Sequence, residues 1–209
     1  GSITLNSGSV LTFGSGSIAG SFDGNDTSEG VVNFNSSRNI AAGIYFGVSN
    51  GLNTINIADG ADIIAGESII AGTVNIGASG SAASGSLDLA AGKSITGNVV
   101  IANGATLGLN TGSSVSGTIN SDADDAGVLN ISGTVVTTSD IGSTNPLALV
   151  TIAASSTLNS ATNNNAISSS IISLMDSSST LTLGTGSVSG NIQGYSDGVG
   201  TVNINGNNS

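Results

Sequence analysis

A pair of apolar residues flanking one polar residue recurs along the chain, and most successive pairs lie about 19 to 23 residues apart. The pairs are Leu11/Phe13, Val32/Phe34, Ile55/Ile57, Val74/Ile76, Leu87/Leu89, Leu107/Leu109, Leu129/Ile131, Val150/Ile152, Leu181/Leu183 and Val202/Ile204. Alternation of period two belongs to a strand and not to a helix. A period of this length marks folds in which one small unit stacks on the next. The unit is clearest from Leu107 to Ile131, where Leu107-Gly-Leu109 is followed by a glycine turn, Val115-Ser-Gly117-Thr-Ile119, the acidic loop Asp122-Ala-Asp124-Asp125, Gly127 and Leu129-Asn-Ile131.

Behind several pairs a second apolar residue follows (Ile18, Ile63, Ile95, Val115, Val188), and a third comes four positions beyond some of these (Phe22, Val99, Ile119, Ile192). Each repeat therefore offers three short strands and three bends. Gly20, Gly97, Gly117 and Gly190 stand midway between the second and third apolar positions, where a sharp corner needs a backbone that a Cβ would obstruct. Stable helix is excluded, because almost every ten-residue window contains a glycine or a cluster of Ser, Thr and Asn.

One such unit cannot bury its own inward residues, so turns must stack, each strand bonding to its counterpart above and below. The expected fold is all-β: a parallel β-solenoid, a right-handed β-helix of about nine turns of roughly 21 residues and roughly 45 Å long at the strand spacing. Residues 1–209 read as one continuous solenoid, and as a segment of a longer repetitive protein. Two places break the period. Val74 to Leu87 is short, which implies a turn with a missing face or a pair that is not inward. Val150 to Leu181 is long, which marks 153–179 as an irregular insertion with an extra strand at Ile172/Leu174. Pro146, the single proline, marks a loop before Leu147. A longer echo also exists: Leu11–Asn35 superposes without a gap on Leu181–Asn205, a separation read as eight turns.

Thirteen acids against Arg38 and Lys93 give a formal charge of −11, which excludes the usual electrostatic route to nucleic acid or an anionic membrane. No run approaches the roughly 20 apolar residues of a membrane-spanning helix. With no His and no Cys, neither an acyl-transfer triad nor a histidine metal site can form. Glu29 and Glu67 are too far apart in the repeat to act as a glycosidase pair, so the chain reads as non-enzymatic.

Two groups of polar residues stand out. Those inside the pairs (Thr12, Asn33, Asn56, Asn75, Asp88, Gly108, Asn130, Thr151, Thr182 and Asn203) are expected to point outward and to stack as one ladder on one face. Acids gather in loops that the repeat makes equivalent: Asp23, Asp26 and Glu29; Asp122, Asp124 and Asp125; Asp197. Asp122, Asp124 and Asp125 resemble the front of a calcium loop without its distal Glu, so they are the candidate metal site; no other cofactor is expected.

The Gly/Ser/Thr/Asn-rich alternation of apolar-x-apolar pairs and Gly-x-apolar turns resembles the passenger regions of bacterial autotransporters and related surface solenoids, over essentially the whole chain. That resemblance implies an extracellular, cell-surface protein with a structural or adhesive role, whose partner is a receptor on a host or neighbouring cell. The alternatives are a self-assembling filament or surface-layer subunit, whose partner is a second copy paired head to tail through uncharged strand edges, and a calcium-dependent surface module.

Overall fold

The computed structural model describes residues 1–77 and 84–206. In its first five turns it contains β1 (Ser2–Leu5), β2 (Val10–Phe13), β3 (Ser21–Gly24), β4 (Glu29–Phe34), β5 (Arg38–Ile40), β6 (Leu52–Ile57), β7 (Asp62–Ala65), β8 (Ile69–Ile76), β9 (Ser86–Leu89), β10 (Ser94–Ile101) and β11 (Thr106–Asn110). The remaining turns hold β12 (Ser114–Ser116), β13 (Ile119–Ser121), β14 (Ala126–Ser132), β15 (Thr134–Val136), β16 (Leu147–Ile152), β17 (Thr157–Asn159), β18 (Ile167–Leu174), β19 (Thr180–Leu183), β20 (Val188–Gly194) and β21 (Thr201–Ile204). The strand pairings are parallel throughout, and no helix occurs among the described residues. This is a parallel β-solenoid of about nine turns.

Three walls run the length of the coil. The first starts with β1 and β3, continues through the bridges Phe22–Phe46 and Phe46–Ile69 and the leading halves of β8 and β10 to β12, and resumes as the ladder β15–β17–β19–β21. The second is β2–β4–β6, the trailing halves of β8 and β10, and β13, after which it narrows to the bridges Ile119–Ile141 and Ile141–Ile167 and the pair Ile167–Val188. The third is β5–β7–β9–β11–β14–β16–β18–β20. Strand pairing does not join β12 to β15. There the first wall is held by Gly112 N–H to Thr134 O (2.8 Å), Gly117 N–H to Ser139 Oγ (3.0 Å) and the Thr138 hydroxyl donating to Val115 O.

Inward positions alternate with outward ones along each strand, and the inward Ile, Leu and Val form one continuous buried column. The corners depend on glycine where a long strand bends from one wall to the next. At Gly97, in β10, φ is +137° and a Cβ would fall 1.7 Å from the Ala71 carbonyl oxygen; at Gly190, in β20, φ is +122° and a Cβ would fall 1.6 Å from Ser169 O. The ladder registers shift at both places, between Thr96 and Asn98 and between Ser168 and Ile171.

The walls explain both irregular steps in the sequence. The first four apolar pairs stand on the second wall, the next four on the third, and Leu181/Leu183 and Val202/Ile204 on the first. Val74 to Leu87 is short because it passes between walls within one turn. Leu87 and Leu89 are inward and fully buried, contrary to the expectation of a pair that is not inward. Residues 78–83, inside that step, lie outside the described residues. Val150 to Leu181 is long because a full turn intervenes before the passage to the first wall. Residues 153–179 hold β17 and β18, in register with their neighbours, and Ile172 and Leu174 form the strand pair expected there. The echo of Leu11–Asn35 in Leu181–Asn205 therefore recurs on a different wall, and not after a whole number of turns.

Candidate functional site

The expected single polar ladder is split among the walls. On the second wall Thr12, Asn33, Asn56 and Asn75 are in register, and Asn33 Nδ2 donates to Thr12 Oγ1 (3.4 Å), Asn56 Nδ2 to Asn33 Oδ1 (2.8 Å) and Asn75 Nδ2 to Asn56 Oδ1 (2.8 Å). The row ends at Val100, which occupies the next rung. Asp88, Gly108, Asn130 and Thr151 form a second row on the third wall, and Thr182 and Asn203 a third on the first wall. Gly108 is buried because the Asp88 carboxylate lies over it, at 1.9 Å from where a Cβ would stand. Burial pushes the Asp88 carboxyl above its ordinary range, and the charge of neighbouring Asp62 adds to that.

The acidic loops are not equivalent. Residues 25–28 turn from the first wall to the second, 122–125 from the second to the third, and 195–200 from the third to the first. Within the candidate metal loop, Asp122 faces the N-terminal side, edging a hollow of about 380 Å³ beside Asn56, Asn75, Val100 and Ala102. Asp125, at φ +57°, faces the other way and accepts the Ser170 hydroxyl, while its N–H donates to Pro146 O (3.0 Å). Asp124 is exposed. Among the described residues no three acidic side chains are grouped so as to hold a metal ion.

Both basic residues have structural partners that their isolation in the sequence concealed. Arg38 lies over the rings of Phe13 and Phe34 (5.3 and 5.7 Å to the centroids) and donates to the carbonyls of Gly14 and Gly16. It thereby closes the N-terminal edge of the third wall, where residues 14–18 pass without forming a strand. The signal for it was present, since Arg38 follows Phe34 closely and Phe34 stacks on Phe13 one turn earlier. Lys93 Nζ pairs with Glu67 at 2.6 Å across one turn, and Glu67 also accepts the Gly43 N–H at 3.0 Å. Those bonds, the lysine first, hold the Glu67 carboxyl below its ordinary range.

What the outer surface offers is therefore repeated polar rows at the strand spacing, with the amides of the second-wall row engaged along the stack and the ionisable groups dispersed. No family model, no curated protein and no solved structure matches the chain.

Proposed function

We propose that this chain is a non-catalytic structural segment of a bacterial cell-surface solenoid, a stalk or passenger piece that carries an adhesive or protective surface outward into the extracellular space. The observation that carries this reading is the unbroken stacked core. Buried aliphatic residues run from Leu5 to Leu183, and the acids and bases lie outside that column, with Lys93 paired to Glu67 and Arg38 over the rings of Phe13 and Phe34. A rod of this kind gives length and protease resistance with little chemistry. The test is surface display: the segment is fused to a membrane-anchored barrel, with an epitope at its outer end. The epitope should stand roughly 45 Å further out than in a fusion lacking the segment. It should also survive trypsin added to the cells, since Arg38 and Lys93 are the only cleavage positions and both side chains are engaged. Rapid shedding would count against a stalk.

A second reading, a subunit of an axially assembling filament, draws on the strand edges of the first and last described turns. Inward residues of the last strands are open, with Ile192 38 %, Val202 41 % and Ile204 63 % exposed, and Ile3 at the other end is 47 % exposed. Negative-stain microscopy separates the two readings, since a stalk piece stays monomeric and a filament subunit forms long polymers.

A further inference from the structure

We propose that the first wall, from β15 to β21, is an ice-binding face whose ligand is the ordered oxygen lattice of an ice crystal surface. Neither the stalk nor the filament reading depends on this face. It carries a row of threonines that the linear spacing conceals. Thr134, Thr157, Thr180 and Thr201 are in direct register on four successive turns, each at the head of its strand. The backbone repeats with them: the N–H groups of Thr157, Thr180 and Thr201 donate to Gly133 O, Ser156 O and Ser179 O, all at 2.9 Å.

These side chains point away from the core. The residue after each of the first three, Val135, Leu158 and Leu181, is fully buried, so alternation along the strand turns the threonines out. Val136, Asn159, Thr182 and Asn203 form a parallel outward row two positions on. Among the described residues no protein group bonds the hydroxyl of Thr134, Thr157, Thr180 or Thr201. That sets this wall apart from the second, where the amides of Asn33, Asn56 and Asn75 are donated along the stack. The four hydroxyls are satisfied from outside the protein, by water.

The geometry suits water that is itself periodic. Like atoms on successive rungs recur at about 4.8 Å, and Thr180 and Thr182, two residues apart on one strand, stand about 6.6 Å from each other. Both distances lie near oxygen repeats of ordinary ice. β-Branching restricts χ1, so hydroxyl and methyl keep the same places from rung to rung, and contact has little left to order in the protein. Charge agrees with this ligand. β15, β17, β19 and β21 contain no ionisable side chain in a chain of net charge −11, and a charged group would have to give up its own water shell at a lattice that offers no counter-charge. The second and third walls, by contrast, carry Glu29, Asp62 and Asp88 on their strands.

The test is partitioning of the chain into ice grown slowly from dilute solution, against a fluorescent reference protein that ice excludes. The parent chain should be enriched in the ice several-fold over the reference. Thr157→Lys/Thr180→Lys should abolish that enrichment, and Thr157→Ser/Thr180→Ser, which keeps the hydroxyls and frees χ1, should lose part of it. Thr106→Lys, on the third wall, should leave it unchanged. Circular dichroism checks folding, and if the lysine pair disturbs it the serine pair decides. Exclusion of the parent chain from ice would overturn the inference, as would equal uptake by the parent and the lysine pair, or by the parent and the serine pair where the latter decides. Dimers that vanish in the lysine pair, without ice uptake by the parent, would make the wall a protein interface and overturn it too. None of these results would touch the stalk reading.

Discussion

The first three turns and turns six to nine build the same three-walled section from different materials. All four phenylalanines lie within the first 46 residues and form one cluster, with Phe13–Phe34 and Phe22–Phe46 stacked and Phe13–Phe22 and Phe34–Phe46 edge to face, at centroid distances of 5.1 to 5.6 Å. Arg38 caps that cluster. In the later turns no phenylalanine remains, and among the described residues the buried polar ones (Ser113, Ser121, Thr137, Ser156, Ser160, Ser169, Ser173 and Ser179) all fall between 113 and 179. Most of their hydroxyls reach backbone carbonyls: Ser113 to Ala90 O, Ser121 to Pro146 O, and Ser179 to Ile152 O and Ala153 O. The early turns hold their shape by filling volume, and the later ones add hydrogen bonds to the backbone at the bends. A solenoid tolerates both because each turn answers only to its neighbours.

The contrast breaks most visibly on truncation. Phe34→Ala should cost about 3–5 kcal/mol by opening a cavity against two other rings, whereas Ser179→Ala should cost about 1–2 kcal/mol, as read by urea unfolding. Equal losses would erase the distinction between the two regions. The corners should be indifferent to region: Gly97→Ala and Gly190→Ala should each cost about 2–4 kcal/mol, since both combine a left-handed backbone with a carbonyl in the way. Gly92→Ala, with φ +70° but open space around it, should cost less.

Asn56→Ala, which cuts the amide row of the second wall in the middle, should cost about 1 kcal/mol. The third wall gives the smallest and most diagnostic effect. Because burial raises the Asp88 carboxyl in the folded state, folding favours its protonated form; this stabilisation is present in acid and is lost as pH rises through the folded value. Asp88→Asn should therefore stabilise the protein at neutral pH, with the gain fading as the pH falls below the carboxylate range. A gain independent of pH would mean that something other than charge was removed. Calorimetric titration with millimolar Ca²⁺, comparing the parent chain with Asp124→Asn, checks the remaining acidic loop. With Asp122 and Asp125 facing opposite ways, the two profiles should coincide.

Much of this was legible in the sequence, for a physical reason. Strand pairs such as Leu107/Leu109 announce themselves by alternation, and bends such as Gly97 by glycine, because both are local requirements. Which wall a pair occupies is not local, since it depends on the summed lengths of every preceding loop. That is why Leu87/Leu89 looked out of place and residues 153–179 looked like an insertion. The acidic loops mislead similarly, because matching spacing in the sequence does not make matching corners in the coil. Arg38 and Lys93 were hidden because their partners lie about one turn away, at Phe13 and Glu67.

The break in the first wall between β12 and β15 matters most when the rod is pulled. End-to-end tension along the coil axis peels strands rung by rung instead of shearing a whole ladder at once, so the molecule should pay out one turn at a time. Each turn releases roughly 70 Å of extended chain. Where three contacts replace a strand pair, at Gly112, Gly117 and Val115, the resistance of that wall drops. Under load the rod has a built-in fuse near its middle, and extension there would spare the phenylalanine cluster behind it.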